Sequence, residues 1–237
     1  MARELLKISG LEAGYGQKQI LYGIDLTVQQ AQMVAVIGHN GAGKSTFLKA
    51  LFGLIPVWKG EVFYEGVEVG DWPPAKKVLN GIGFVPQGNR VFGELTVREN
   101  LEMGGYTLNG QPQIEKKIEE VFSFFPLLKE REDQIAGTLS GGEKQMLSLA
   151  NILILSPKLL LLDEPSLGLS PSLVKQAFQK LTEINHALGT TMVIVEQKVR
   201  EALKICQSAY LLKMGRVAYA GASSELLAGD RIKEIFL

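Results

Sequence analysis

The sequence predicts an α/β fold built on a parallel β-sheet, and two patterns support that prediction. Short, continuous runs of Val, Ile and Leu recur along the chain, as is typical of parallel strands that are covered on both faces. Helical patterns lie between these runs, as expected when helices connect parallel strands. The predicted buried strands are residues 33–38, 82–86, 158–164, 191–196 and 209–213, and the predicted helices between them are residues 44–53, 171–188 and 198–206.

Two further regions depart from this alternation. Residues 24–30 and 60–66 have the pattern of antiparallel strands beside the main sheet. From about residue 95 to 155 the strand signal disappears and helical patterns replace it. The sequence shows no repeat or interdomain linker, so residues 1–237 are predicted to form a single domain. A helical subdomain at about 95–155 is predicted to be inserted in its α/β core.

Composition limits the function classes. The chain has 237 residues, 46% of them hydrophobic, with 25 Lys and Arg against 25 Asp and Glu. A net charge of zero gives no electrostatic argument for nucleic acid or an anionic membrane as a direct ligand. Cys206 is the only cysteine, so no intrachain disulfide can form and a reducing compartment is expected.

No segment predicts a membrane span or a signal peptide. The longest apolar-leaning stretch, residues 146–155, falls short of the roughly 20 residues needed to cross a bilayer. Any role at a membrane is therefore expected to come through a partner.

A glycine-rich loop follows the first predicted buried strand. "GHNGAGKST", residues 38–46, matches the phosphate-loop pattern G-x-x-x-x-G-K-[ST]. Its glycines allow backbone N–H groups to surround phosphate oxygens, and the next helix points its positive end at the same place. Lys44 is expected to reach the β- and γ-phosphates, and Ser45 to bind Mg²⁺. The predicted nucleotide-binding residues here are Gly38, His39, Asn40, Gly41, Ala42, Gly43, Lys44, Ser45 and Thr46.

Two adjacent acids end another predicted strand, "KLLLLDEP" at 158–165. Asp163 suits an Mg²⁺ ligand and Glu164 suits a general base for the attacking water. The alternative is that the acids merely start a surface turn. With the phosphate loop present, the pair indicates a P-loop NTPase, but the two motifs do not yet say which kind.

A second anion-binding helix start occurs in "LSGGEKQ", residues 139–145. The chain thus has two anion-binding helix starts but only one acid pair. A dimer explains this difference. Each nucleotide would then lie between the phosphate loop of one chain and Ser140, Gly141, Gly142 and Glu143 of the other.

Together these motifs resemble the ATP-binding-cassette (ABC) ATPases along essentially the whole chain. The resemblance rests on residues 38–46, on Gln87 after "IGFVP", on residues 139–143 and on residues 159–164. It implies a RecA-like α/β core with an antiparallel β subdomain and an inserted helical subdomain. It also implies that Gln87 is a catalytic residue and Mg²⁺ ligand, and that Tyr15 stacks on adenine; a structural tyrosine is the alternative for Tyr15.

Several positions depart from the common family pattern. Gln197 stands where a histidine that contacts the γ-phosphate is usual, after "TTMVIVE". Its amide can donate a hydrogen bond but cannot take a proton, so it is predicted to sense the γ-phosphate; the alternative is a surface-turn residue. Glu143 replaces a common glutamine, Ser170 a common aspartate, and Asn151 lies where many relatives have arginine.

The combination of "LSGGE", "DEPSLGLSP" and "VEQ" resembles one branch of the family, the ATP-binding subunits of branched-chain or other hydrophobic amino-acid importers. This implies integral membrane permease subunits as partners, a second identical or different ATP-binding subunit, a substrate-binding protein that acts indirectly, no nucleic acid, and a peripheral location on the cytoplasmic face of the membrane. Arg90, Val91 and Phe92 are predicted to meet the permease, with core packing of Val91 and Phe92 as the alternative. A urea or amide importer, and a non-transport ABC protein, are the competing functions.

Overall fold

The computed structural model describes residues 3–88, 90–108 and 110–228. The strands in these ranges are β1 (Glu4–Tyr15), β2 (Lys18–Gln29), β3 (Met33–Ile37), β4 (Val57–Tyr64), β5 (Val67–Glu68), β6 (Ile82–Val85), β7 (Leu159–Asp163), β8 (Thr191–Glu196), β9 (Ser208–Lys213) and β10 (Arg216–Ala222). The helices are α1 (Lys44–Phe52), α2 (Pro74–Leu79), α3 (Val97–Gly104), α4 (Gln111–Phe124), α5 (Pro126–Lys129), α6 (Gly141–Leu153), α7 (Pro171–Leu188), α8 (Val199–Ile205) and α9 (Ser223–Leu227).

The main sheet has the strand order β10-β9-β3-β8-β7-β6. Strands β9, β3, β8, β7 and β6 are parallel neighbours, and β10 pairs with β9 in the antiparallel sense. Every residue of β3, β6, β7 and β8 is buried. Along β3, Val34 and Val36 pack in one core while Met33, Ala35 and Ile37 pack in the other. Two covered faces explain why these strands are apolar without alternation, and they confirm the predicted α/β fold.

A second, antiparallel sheet has the order β2-β1-β4-β5. Its buried face shares a core with α1, in which Leu11 and Ile24 lie in the same cluster as Phe47. The sequence predicted parts of β2 and β4 but not β1. Irregular pairing explains the omission, because the β1–β2 register shifts between Ile8 and Leu11 and the apolar alternation is broken there.

Residues 97–153 contain the helices α3 to α6. Thr96 and Ser140 begin α3 and α6 with a capping box, in which the side chain of the third helical residue bonds back to the cap. At α7, Ser170 is the N-cap residue and Pro171 the first helical residue, as predicted, but the Ser170 side chain makes no capping bond. Within the described ranges, the helices are all too short or too polar to cross a membrane.

Candidate functional site

The glycine-rich loop connects β3 to α1, and its buried side contacts β2 and the β9–β10 turn. Gly43 ends it with φ 104°, and a Cβ atom there would lie 2.9 Å from Leu21 Cδ2. The Gly215 N–H donates to the Ala42 carbonyl at 2.9 Å. Residues 39–41 form the exposed rim of the loop. The loop is therefore packed against β2 and the β9–β10 turn, and its open side faces outward.

Lys44 folds back over this loop. Its ammonium group donates to the carbonyls of Gly38 at 2.8 Å and His39 at 3.2 Å, and the side chain is 4% exposed. Burial lowers the pKa of Lys44, and nearby acids, Glu164 first among them, oppose that shift. The Lys44 Nζ to Glu164 Oε1 distance is 4.0 Å. A buried cation thus lies between the loop and an acid.

Ser45, in the first turn of α1, meets the end of β7. Its hydroxyl donates to Asp163 Oδ1 at 2.9 Å, and Asp163 is 3% exposed. Burial raises the pKa of Asp163, while the bond from Ser45 opposes the shift. Thr46 is buried beside them. A hydroxyl and a carboxylate at this distance are hard oxygen donors of the kind that Mg²⁺ prefers.

Two glutamine amides converge on Glu164. Gln87 Nε2 donates to Glu164 Oε2 at 3.1 Å, and Gln197 Nε2 donates to Glu164 Oε1 at 2.7 Å. The Glu164 N–H donates to the Val195 carbonyl at 2.9 Å, which ties the acid to β8. Gln197 is therefore bonded within the site, and both carboxylate oxygens of Glu164 receive an amide.

The residues predicted at the start of α6 form a separate group. Ser140 and Glu143 bond to one another, with the Ser140 N–H donating to Glu143 Oε2 at 2.8 Å. These bonds lower the pKa of Glu143, whose other oxygen lies 3.3 Å from Arg131 Nε. A Cβ atom on Gly142 would lie 3.1 Å from Leu173 Cδ1, so α6 begins in close contact with α7. Gly141 is exposed at this helix start.

Tyr15 is the last residue of β1. It is 46% exposed and pairs with Lys18 across the turn to β2.

The sequence reasoning missed two residues that the structure adds to the site. Glu196 is 1% exposed and accepts backbone N–H groups, and Lys198 donates to the carbonyls of Ser166 and Leu169. A signal was present, because Glu196 is a charged residue at the last position of a continuous apolar strand, and a buried charge needs partners.

The chemistry available follows from this set. A lysine and a glycine-rich loop at the carboxyl edge of parallel strands can bind phosphate. A carboxylate held by two amides beside that loop can accept a proton from water. The cluster therefore suits hydrolysis of a phosphoanhydride.

Known proteins have similar sequences and similar folds. The family model described as ABC transporter matches residues 21–167. A probable branched-chain amino acid transport ATP-binding protein, LivF, of Archaeoglobus fulgidus is 39% identical over 231 residues, covering 98% of each chain. A high-affinity branched-chain amino acid transport ATP-binding protein, BraG, of Pseudomonas aeruginosa is 40% identical over 233 residues, covering 98% of this chain and 99% of the relative.

A solved structure agrees with the sequence comparisons. The ADP conformation of an ATP-binding cassette of an ABC transporter has a TM-score of 0.88 and 25% identity, covering 98% of both chains. The family model spans more than half of this chain, and the two sequence relatives span nearly all of it. The chain therefore belongs to the ABC transporter family, as an ATP-binding cassette, the ATPase that energises transport.

Proposed function

We propose that this chain is the ATP-hydrolysing subunit of an importer for branched-chain or other hydrophobic amino acids. The observation that carries the hydrolytic part is Glu164, buried beside the phosphate loop with both oxygens held by amides. The amino-acid part is supported by the two relatives, whose names specify branched-chain amino acid transport.

ATP binds through the phosphate loop, residues 38–46. Lys44 exchanges its bonds to the Gly38 and His39 carbonyls for bonds to the β- and γ-phosphates. Tyr15, exposed at the hairpin end, stacks on adenine. Ser45, Asp163 and Gln87 would hold Mg²⁺, which would neutralise phosphate charge when bound.

Hydrolysis begins when water attacks the γ-phosphorus and Glu164 accepts the water proton. The bond from that phosphorus to the β–γ bridging oxygen breaks, leaving ADP and phosphate. Each amide of Gln87 and Gln197 carries two hydrogens. One holds Glu164, and the second is available to the water or to a γ-phosphate oxygen. Gln197 thereby orients Glu164 through one amide hydrogen and senses the γ-phosphate through the other.

A second ATP-binding subunit completes the site. Ser140, Gly141, Gly142 and Glu143 of one subunit face the ATP held by the phosphate loop of the other, either as a homodimer or with a different cassette. The support is that this helix start is exposed at Ser140 and Gly141, so the positive end of α6 can face a phosphate.

Permease subunits dock in a groove beside Gln87. Arg90 and several exposed apolar side chains line it, while Val91 packs against the core. The exposed apolar members are Leu79, Phe92, Met103 and Tyr106. A groove of this composition suits an amphipathic helix. Through the permease the chain lies at the cytoplasmic face of the membrane, and a substrate-binding protein acts on it only indirectly.

Uptake in cells tests the proposal. A strain lacking this gene should lose uptake of labelled leucine, and the wild-type gene should restore it. Genes carrying Lys44→Ala or Glu164→Gln should fail to restore uptake although the proteins accumulate normally. Urea uptake is the matched comparison. Normal leucine uptake in the deletion strain, or loss of urea uptake instead, would contradict the amino-acid assignment.

A further inference from the structure

Glu196 makes its own set of contacts at the edge of the site. Its carboxylate is buried at the end of β8. Oε1 accepts the Ser166 N–H at 2.9 Å, and Oε2 accepts the N–H groups of Gln197 at 3.0 Å and Lys198 at 3.2 Å. All three partners are backbone donors. Only an acceptor at both oxygens satisfies them, which requires a carboxylate rather than an amide.

Lys198 supplies the complementary bonds. Its ammonium group donates to the carbonyl of Ser166 at 3.1 Å and to that of Leu169 at 3.4 Å. The N–H and the carbonyl of Ser166 are therefore both bonded to the loop that carries Gln197. We call the carboxylate of Glu196 and the ammonium group of Lys198, with these five bonds, the 196–198 clamp.

The clamp joins two segments that meet at Glu164. Ser166 lies two residues after Glu164, in a turn where the Leu167 N–H donates to the Glu164 carbonyl at 3.0 Å. Gln197, on the other segment, donates to the Glu164 carboxylate. Displacement of either segment would therefore move the carboxylate relative to its amide.

We propose that the 196–198 clamp positions Glu164 and Gln197 for hydrolysis by fixing the turn of residues 164–169 to the loop of residues 196–198. The inference rests on the proposed function. Glu196 and Lys198 are positioning residues, because they contact the backbone of the site. Their loss should lower kcat and leave the KM for ATP nearly unchanged, since the phosphate loop is not displaced.

Three substitutions separate the bonds. Glu196→Gln keeps the shape but turns one oxygen into an NH₂ group, so at least one N–H loses its acceptor. Lys198→Met removes both bonds to carbonyls and keeps the apolar stem. Lys198→Arg keeps a donor of the same charge. Glu201→Gln is the matched control, because Glu201 lies on the neighbouring α8 and pairs with Lys204 within that helix.

The experiment combines ATP hydrolysis by this chain, alone and with a partner cassette, with amide hydrogen exchange. Glu196→Gln and Lys198→Met should each lower kcat by about tenfold with KM within about threefold, because a displaced base acts only on the transition state. Lys198→Arg should recover most of kcat, and Glu201→Gln should match the wild type. Exchange should rise in peptides covering 164–170 or 195–199 in the two damaging variants, even without nucleotide.

The outcomes are separable. Unchanged exchange in both damaging variants would show that the clamp does not hold these segments and would overturn the inference. Raised exchange with unchanged kcat, or a KM change as large as the kcat change, would overturn the positioning role. If Glu196→Gln fails to fold, Lys198→Met alone decides between these results. A wild-type chain that hydrolyses no ATP either alone or with a partner cassette would instead overturn the proposed function, and exchange would still test the clamp.

Discussion

Gln197 Nε2 lies 2.7 Å from Glu164 Oε1, so the residue that replaces the family's usual histidine is bonded directly to the proposed base. Gln87 holds the other carboxylate oxygen at 3.1 Å. Both carboxylate oxygens of Glu164 are therefore held, one by Gln87 and one by Gln197. Because two amides hold Glu164, replacing either glutamine alone should lower the rate of ATP hydrolysis only modestly.

Gln197→Ala should slow single-turnover ATP hydrolysis by about 2- to 13-fold, the effect of losing one neutral hydrogen bond worth roughly 0.5–1.5 kcal/mol. Gln197→His should restore or raise the rate, because an imidazole N–H can make the same contact. Gln176→Ala, on the exposed side of α7, is the control. A Gln197→Ala rate equal to wild type would show that the bond to Glu164 is catalytically idle.

Glu164→Gln should bind ATP and lose hydrolysis by about 10²-fold or more, because an amide is a far poorer base than a carboxylate. The new NH₂ group must face Gln87 or Gln197, both of which are donors at this position. ATP should then trap a dimer, measured by size-exclusion chromatography of the variant alone and with a partner cassette. A variant that stays monomeric in both mixtures would contradict the two-subunit site.

Phe92→Ala should weaken assembly with the permease, while ATP hydrolysis by the chain, alone or with a partner cassette, stays at the wild-type rate. Phe92 is 53% exposed, so its loss removes little from the core of this chain. Co-purification with tagged permease subunits measures the effect. Leu188→Ala, 48% exposed at the far end of α7, is the control. Equal recovery of permease with both variants would contradict docking at Phe92.

Lys77 provides a pH test of stability. It is fully buried, it donates to the Leu51 carbonyl at 2.6 Å, and burial lowers its pKa from 10.5 to about 8. Between these values the unfolded chain binds more protons than the folded chain, so the free energy of unfolding should rise with pH. The wild type should gain up to about 3 kcal/mol over Lys77→Met in this interval.

Urea unfolding at about pH 8 and pH 10.5, the ends of this interval, measures that difference. Lys76→Met, which removes the same charge from an exposed neighbour, is the control. Parallel stability curves for wild type and Lys77→Met would show that Lys77 titrates alike in both states.

The sequence predicted the parts of the fold that depend on local pattern. Continuous apolar runs identified β3, β6, β7 and β8, and motif spacing identified Lys44, Ser45, Asp163 and Glu164 as neighbours. The two bonds that Gln87 and Gln197 donate to Glu164 could not be predicted from local pattern, because they depend on side-chain rotamers in three separate segments. The contacts of Glu196 were missed for a related reason: a glutamate that satisfies backbone N–H groups has no spacing motif.

Glu164 has a further consequence, which lies in its backbone. With φ 51° it occupies the left-handed region, where a residue with a Cβ atom is strained by about 1 kcal/mol or more and glycine or asparagine is favoured. The fold thus accepts a less favourable residue at the position of the proposed base. Directed evolution that selects for heat resistance alone would be expected to replace Glu164. The product would be a more thermostable cassette that binds ATP but does not hydrolyse it.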